Sequence, residues 1–214
     1  MRSEDFKQRR HDATAEILVQ ATEAAIAQKG YESVTMRDIA TQAGCALGTL
    51  YVYFKSKREL VNALIERHAN IVRERLLGAI AAPGGPLERL RLLTLTFLEY
   101  FNQNRNFFKV FYSAAQPRPG QLAFGLPRSV QQIEEDIGRA EIGLIRQAQE
   151  LGEIRRDFPP EAILSFRKGL TMGLMGELNL REELPSQDEQ MRIVWGFQTG
   201  GIGARGNHAD MAKP

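Results

Sequence analysis

The sequence is poor in cysteine, because Cys45 is the only cysteine among 214 residues. A lone cysteine cannot form a disulfide within the chain, so we expect a reducing compartment. No apolar run follows the charged start as it does in a signal peptide, and no stretch approaches the roughly 20 apolar residues that span a bilayer. These absences predict a cytoplasmic protein that does not associate with a membrane.

Catalytic and metal-binding motifs are missing as well. The three histidines, His11, His68 and His208, are scattered, and no pair has the spacing of metal ligands on one helix face. The nucleophile motif G-x-S-x-G and the glycine-rich phosphate and dinucleotide motifs are absent. The acidic run at 134–136 is typical of a solvated helix face. We therefore expect no enzymatic activity, no metal and no cofactor.

Charge is nearly balanced, with 28 Lys and Arg against 26 Asp and Glu and a net charge of +2. A nucleic-acid site must therefore depend on local clustering of basic residues. No segment shows the alternation of a β-strand, whereas apolar residues recur at helical spacing along most of the chain. The pattern predicts an all-α fold, with helices at about 12–29, 35–43, 47–53, 57–82, 86–103, 106–115, 127–151, 161–180 and 187–199.

The most specific motif lies at 35–60 and reads TMRDIATQAGCALGTLYVYFKSKREL. Thr35 is a good helix N-cap, and Asp38 follows at the position of a capping box. Gly44 suits a left-handed helix C-cap, and Ser56 with Glu59 marks the start of another helix. Two short helices that meet at a glycine turn form a helix-turn-helix, whose second helix can enter the DNA major groove.

This stretch resembles the DNA-binding signature of the TetR family of bacterial transcriptional regulators, roughly T-x-x-D-I-A-x-x-A-G-V-S-x-G-T-L-Y-x-Y-F-x-S-K-x-x-L. Cys45 replaces the usual valine and Ala46 the usual serine, so the recognition helix lacks a side-chain cap worth about 1 kcal/mol. The resemblance is strong over 12–66 and extends to the rest only in helix layout. The matching residues are Thr35, Asp38, Ile39, Ala40, Ala43, Gly44, Gly48, Thr49, Leu50, Tyr51, Tyr53, Phe54, Ser56, Lys57 and Leu60.

The resemblance implies an N-terminal three-helix helix-turn-helix DNA-binding domain, followed by a larger helical ligand-binding and dimerisation domain. We place the first at 1–56 and the second at 57–199, with a disordered tail at 200–214. The implied function is a ligand-responsive repressor. It binds a pseudo-palindromic, double-stranded operator as a homodimer and is released by a small, largely apolar or aromatic effector. The alternative is a helical sensor or adaptor that has lost specific DNA binding.

Residue types in and around the recognition helix indicate how DNA is bound. Its first residues meet base edges, hydroxyls suit phosphate oxygens, and the two lysines attract phosphate. Tyr51 and Tyr53 cannot share one helix face, so one of them is mainly structural. Arg9 and Arg10 form either a flexible arm that reaches DNA or a solvated tail. The predicted DNA-binding residues are Thr35, Leu47, Gly48, Thr49, Tyr51, Tyr53, Lys55 and Lys57.

Aromatic residues are concentrated between positions 97 and 124, where TetR-like proteins bind an inducer. Many rings within a short stretch suit an apolar pocket with a few polar groups. The alternative is an ordinary packed core. The predicted effector-binding residues are Phe97, Tyr100, Phe101, Phe108, Phe111, Tyr112, Met172 and Met175.

The predicted helices at 127–151 and 161–180 are apolar on more than one side, so each needs two surfaces to bury against. We expect them to pair with the same helices of a second subunit in a four-helix interface, as in TetR-like dimers. The alternative is that both lie inside their own domain. The predicted dimerisation residues are Ile133, Ile137, Leu144, Gly169, Gly173 and Leu174.

Overall fold

The structure is a computed structural model that describes residues 3–115 and 126–202. Its regular elements in these ranges are all α-helices, which confirms the predicted fold class. They are α1 (Ser3–Lys29), α2 (Met36–Gln42), α3 (Leu47–Tyr53), α4 (Lys57–Ala81), α5 (Pro86–Gln103), α6 (Arg105–Ala115), α7 (Arg128–Glu150), α8 (Pro160–Asn179) and α9 (Gln187–Ile202).

Helix α1 begins nine residues before its predicted start near position 12. Its first turns contain no helix breaker, and side chains support them: Gln8 Nε2 donates to Asp12 Oδ1 at 2.8 Å, and Thr14 Oγ1 donates to the Arg10 carbonyl at 2.9 Å. Arg9 and Arg10 therefore lie exposed on a helix and do not form a flexible arm, and contact of this segment with DNA remains a prediction.

The other helix ends agree with the turn signals of the sequence to within a few residues. Helix α9 continues to Ile202, past its predicted end at 199, so the first residues of the predicted disordered tail are helical. The rest of that tail, 203–214, and most of the predicted loop, 116–125, lie outside the described residues.

Contacts divide the chain into two compact units. The first comprises the described residues of Met1–Ile71 and Asn104–Gln131, and the second those of Val72–Gln103 and Gln132–Pro214. The first unit therefore holds the whole helix-turn-helix together with α6. The sequence divides the chain between 56 and 57 by expected function, whereas the two units are defined by contacts between residues. The boundary between 56 and 57 therefore remains a prediction.

Each unit has its own apolar core. In the first, α1 packs against α2 and α6, and fully buried side chains come from α1 to α4: Leu18, Ile39, Leu50, Leu60 and Leu64. In the second, the core is built from α4, α5, α7, α8 and the segment after α7, with these buried members: Ala79, Leu90, Leu93, Leu144, Ile145, Ala148, Ile154, Ile163 and Leu164.

Two features relevant to function are absent from the described part of the chain. None of its helices combines the length and the apolar character needed to cross a bilayer. Within the same residues, His, Cys, Asp and Glu side chains form no group of three or more that could hold a metal ion.

Candidate DNA-binding interface and dimerisation face

Helix α2 is fixed at its start by a complete capping box. Thr35 Oγ1 accepts from the Asp38 backbone N–H at 3.2 Å, and Asp38 Oδ2 accepts from the Thr35 backbone N–H at 2.9 Å. Lys29 Nζ donates to Asp38 Oδ1 at 2.6 Å. The hydrogen bond from Lys29, followed by those from Thr35, holds the pKa of Asp38 well below its usual range. Thr35 thus has a structural role, and its contact with DNA remains a prediction.

The turn between α2 and α3 requires glycine at position 44. Gly44 has φ of 66°, in the left-handed region that other residues rarely adopt, and the Cys45 backbone N–H donates to the Ala40 carbonyl at 3.0 Å. Ala46 is the N-cap of α3 and supplies no side-chain hydrogen bond, as the sequence predicted. Leu50 anchors α3 because it is fully buried. These contacts fix which face of α3 points outward.

The outward face of α3 brings together most of the predicted base-reading residues. Gly48 and Thr49 are exposed, and Tyr51 is 42% exposed, whereas Leu47 is half-buried. Val52 lies on the same face and is 66% exposed, yet the sequence analysis missed it. Helical spacing alone could have predicted the exposure of Val52, because this residue lies one turn after Gly48 and about 200° around the helix from buried Leu50.

The two tyrosines of α3 lie in different environments, as their spacing predicts. Tyr51 is exposed, whereas Tyr53 is half-buried and stacks on His11 of α1, with ring centroids 4.5 Å apart and ring planes at 23°. Tyr53 therefore has a packing role at the end of α3. The stack also places the N-terminal part of α1 beside the recognition helix.

Lys55 and Lys57 both donate to backbone carbonyls, a role that the sequence analysis missed. Lys57 Nζ donates to the carbonyls of Tyr31 at 2.7 Å and Val34 at 3.0 Å, and it lies 4.7 Å from the centroid of the Tyr31 ring. Lys55 Nζ donates to the Tyr51 carbonyl at 2.7 Å. Contacts of these lysines with phosphate remain predictions.

Three of the predicted effector-binding residues, Phe108, Phe111 and Tyr112, form a cluster of rings in the first unit. Phe107 packs edge-on against Phe108, with centroids 5.0 Å apart, and Phe111 and Tyr112 are in edge contact at 5.7 Å. Burial raises the pKa of the Tyr112 hydroxyl. Buried His68 joins the cluster through a parallel stack on Phe107, with centroids 3.7 Å apart.

The other five predicted effector-binding residues lie in the second unit. Tyr100, Phe101 and Met175 are almost fully buried, whereas Phe97 and Met172 keep part of their surface exposed. The Arg75 guanidinium lies over the Tyr100 ring at 4.9 Å. Effector binding by these residues remains a prediction.

A buried arginine organises the polar contacts of the second unit, and the sequence analysis missed it. Arg167 of α8 is 3% exposed and donates through Nη2 to the Leu90 carbonyl at 3.1 Å. Its Nη2 lies 3.8 Å from Glu141 Oε2 of α7. Burial raises the pKa of Glu141 and lowers that of Arg167, while each charge partly offsets the shift of the other.

Helix α8 has one buried side and one exposed apolar side. The structure buries Ile163, Leu164, Arg167, Thr171, Met175 and Leu178. In contrast, Phe166 is 65% and Leu170 37% exposed. The buried stripe contains an arginine and a threonine, whereas the more apolar stripe, with Phe166 and Leu170, faces outward.

The outward stripe of α8 joins part of α9 in one apolar face, here called the α8–α9 face. It includes Phe197 of α9, which is 66% exposed. A groove in this face is lined by Ser165, Phe166, Gly169, Leu170, Gly173, Leu174, Glu177, Ile193, Val194 and Phe197. Three of the predicted dimerisation residues, Gly169, Gly173 and Leu174, are therefore brought together on this face.

Helix α7, which the sequence pairs with α8 in the predicted four-helix interface, buries two of its three predicted dimerisation residues within its own chain. Ile137 and Leu144 are each only 4% exposed, and Leu144 packs into the core of its own unit with Ile145 and Ile163. These two residues are therefore corrected from dimerisation to core packing, because almost none of their surface is left for a partner. Ile133 is half-buried. Helix α9, which the sequence analysis did not include, contributes the second half of the face.

A capped first helix, a glycine turn and an exposed second helix define a helix-turn-helix DNA-binding protein. The family described as bacterial regulatory proteins, tetR family, matches residues 18–64. The transcriptional regulator AcuR of Cereibacter sphaeroides is 31% identical over 159 residues, which cover 68% of this chain and 67% of AcuR. The chain belongs to the TetR family of bacterial transcriptional regulators.

KstR2 of Mycobacterium tuberculosis is similar to this chain in both sequence and fold. The protein is named as a transcriptional repressor and is 25% identical over 154 residues, 72% of this chain and 76% of KstR2. Its solved structure, described as that of a ketosteroid transcriptional regulator, has a TM-score of 0.70 at 23% identity, covering 89% of this chain and 95% of that one. The similarity of fold thus extends well beyond the helix-turn-helix.

Proposed function

We propose that this protein is a homodimeric, cytoplasmic repressor that binds a pseudo-palindromic operator and leaves it when a small, largely apolar or aromatic effector binds. The observation that carries the proposal is the outward face of α3, where Gly48, Thr49, Tyr51 and Val52 are exposed while Leu50 holds the helix in the core.

The chemistry of this face suits the major groove. The Thr49 hydroxyl can bond a base edge or phosphate, and the methyl groups of Val52 can contact a thymine methyl. Gly48 has no atom within 4 Å of the position that a Cβ would take, so the absence of a side chain there serves approach from outside the chain. Thr49, Tyr51 and Val52 are thus our candidates for contact with bases and phosphates.

The α8–α9 face supports assembly as a homodimer. Exposed apolar patches of this kind mark interaction sites, and a two-fold axis pairs the same patch from both subunits. A Cβ built on Gly169 or Gly173 meets no atom within 4 Å, so these glycines leave room for a neighbouring helix. Two copies place two recognition helices on one operator, which a single helix-turn-helix needs for useful specificity.

The effector class follows from the predicted effector-binding residues that keep some surface. Phe111 and Tyr112 in the first unit and Phe97 and Met172 in the second are only partly buried, and all four favour an apolar or aromatic molecule. The relative KstR2 is described as a ketosteroid transcriptional regulator, and ketosteroids are an apolar class of compound. Release follows if the effector binds better to an arrangement that does not fit the operator.

Selection of bound sequences from random double-stranded DNA tests the proposal. We expect wild-type protein to enrich a pseudo-palindrome and Thr49→Ala with Val52→Ala to lose that enrichment. If wild-type protein enriches no sequence, the alternative of a sensor or adaptor without specific DNA binding is correct. That alternative has one structural observation in its favour, because Ala46 gives α3 no side-chain cap.

A further inference from the structure

One face of α1 changes character along its length. From Leu18 onward it is buried, as Leu18, Thr22 and Ala25 are at most 4% exposed. Helical spacing continues the same face through Thr14, His11 and Lys7, where it is exposed except for half-buried Thr14. The N-terminal turns of α1 therefore extend beyond the core, and the side of the helix that is buried from Leu18 onward is exposed there.

The His11–Tyr53 stack shows where this extension lies. Since the His11 ring is 4.5 Å from the ring of the last residue of α3, the extension runs beside the recognition helix. Lys7 precedes His11 by four residues, or about 6 Å along the axis. Arg10 adjoins His11 on the same side of α1, because residues at i, i+3, i+4 and i+7 share a helix face.

The charges on this extension are available for a partner. Lys7 and Arg10 are both exposed, and no carboxylate in the described part of the chain pairs with either side chain. Two unpaired cations beside a helix that enters the major groove match the phosphates that border that groove. Arg9 is different, since it lies about 200° around the helix from His11 and points away from α3.

We infer that Lys7 and Arg10 form a second DNA contact, in which the N-terminal turns of α1 bind the phosphate backbone beside the groove that α3 enters. The inference depends on the proposed DNA binding and adds to it a contact outside the helix-turn-helix. His11 is a positioning residue, because its stack on Tyr53 sets the orientation of α1 relative to α3.

The test compares Lys7→Gln and Arg10→Gln with the matched control Arg9→Gln, which removes the same charge from the opposite face. Glutamine forms helices about as well as lysine and arginine, so α1 is preserved. Binding to a labelled duplex recovered by selection is measured by fluorescence anisotropy across a salt series. We expect each face variant to lower the slope of log K against log salt by about 1, and the double variant by about 2.

Among the glutamine variants, two outcomes overturn the inference. One is a double variant with the wild-type salt slope. The other is an equal loss for Arg9→Gln and Arg10→Gln, which indicates general charge attraction without a defined face. Gln8→Pro adds a check that keeps every charge: it unwinds α1 before position 8, which displaces Lys7 but leaves Arg10 helical, and we expect it to lower the slope as Lys7→Gln does. An unchanged slope in Gln8→Pro rejects a helical contact.

Failure of the proposed function is distinguishable from failure of the inference. If selection recovers no sequence, specific operator binding fails, and the same variants are measured on a random-sequence duplex. Phosphate contacts act on any sequence, so the inference still expects wild-type protein to bind this duplex with a salt dependence that the double variant reduces. Wild-type and double-variant protein with equal slopes on this duplex overturn the inference itself.

Discussion

Arg167 and Gln198 hold each other by hydrogen bonds in both directions. Arg167 Nη1 donates to Gln198 Oε1 at 3.2 Å, and Gln198 Nε2 donates to the Arg167 carbonyl at 3.1 Å. Both side chains are buried, at 3% and 0% exposure, so the pair fixes the register of α8 against α9. The same two helices present the α8–α9 face on their other side, and its shape therefore depends on this pair.

Loss of the Arg167 guanidinium is expected to destabilise the second unit strongly. Arg167→Met keeps most of the volume but leaves the Glu141 carboxylate buried without its cation, a change that typically costs about 3–5 kcal/mol. Urea denaturation of this variant is compared with Arg146→Met, which breaks an exposed pair with Glu161 and is expected to cost about 0–1 kcal/mol.

A second substitution distinguishes charge from packing at this position. In Arg167→Met with Glu141→Gln the stranded carboxylate is gone, so we expect the double variant to be more stable than Arg167→Met alone. Equal unfolding midpoints for Arg167→Met and Arg146→Met contradict the role of Arg167. Equal midpoints for the single and double variants show that packing, not charge, dominates.

The depressed pKa of Asp38 predicts how stability of the helix-turn-helix varies with pH. For a carboxyl group whose pKa is lower in the folded state, stabilisation is present above the unfolded pKa and is lost as pH falls toward the folded one. Wild-type protein is therefore expected to melt at a higher temperature than Asp38→Asn at neutral pH, with a gap that narrows below about pH 4. Thermal melts across this range measure the gap, and a gap independent of pH contradicts the prediction.

Local signals predicted the elements of the candidate DNA interface well. Thr35, Asp38 and Gly44 act within a few residues of their own positions, so their effects are visible in sequence. The partners of Lys57 and Arg167 are distant in sequence: Lys57 reaches Tyr31, and Arg167 reaches Leu90. No periodic pattern in the sequence predicts such distant contacts. For this reason Lys57 was predicted only to bind phosphate, and its structural role was not foreseen.

The face that a helix buries was the least predictable feature. Helix α8 has two stripes, and the more apolar one, with Phe166 and Leu170, faces outward. A single chain buries polar groups when hydrogen bonds satisfy them, and here the contacts of Thr171 and of the two Nη atoms of Arg167 do so. An apolar stripe therefore indicates burial in general but does not distinguish a core from an assembly interface.

The carbonyl contacts of Lys57 predict a loss of stability when the ammonium is removed. Lys57→Met keeps the aliphatic chain but leaves the Tyr31 and Val34 carbonyls without their donor, and hydrogen bonds of charged groups contribute about 1.5–3 kcal/mol. Thermal melts without DNA measure this effect, and an unchanged melting temperature contradicts it. The salt slope of DNA binding then reports separately whether Lys57 also contacts phosphate, since loss of such a contact in Lys57→Met lowers the slope by about 1.

The outward face of α3 predicts which residues set base preference. Val52→Thr and Thr49→Val exchange one methyl group and one hydroxyl group in opposite directions, and each is expected to change the preferred base at its own position by about 1–3 kcal/mol. Selection from random DNA, repeated for each variant, measures the preference. Ile17→Ser is the control, since Ile17 is 56% exposed and belongs to α1, outside the helix-turn-helix. Preferences identical to wild type in both α3 variants contradict base reading by this face.

The open space around Gly173 predicts a variant that affects assembly but leaves the subunit intact. Since a Cβ at Gly173 meets no atom within 4 Å, a leucine fits the isolated chain and even favours the helix. In a dimer joined through the α8–α9 face the same leucine overpacks the seam, which typically costs about 1–3 kcal/mol. Gly173→Leu is therefore expected to shift the protein toward monomer and to weaken operator binding, with helix content unchanged.

Gly78→Leu on α4 is the matched control, because its Cβ also meets no atom within 4 Å and Gly78 lies outside the α8–α9 face. Sedimentation and far-UV circular dichroism measure both properties. A fully dimeric Gly173→Leu excludes Gly173 from the seam, and a wild-type protein that sediments as a monomer overturns the proposed assembly.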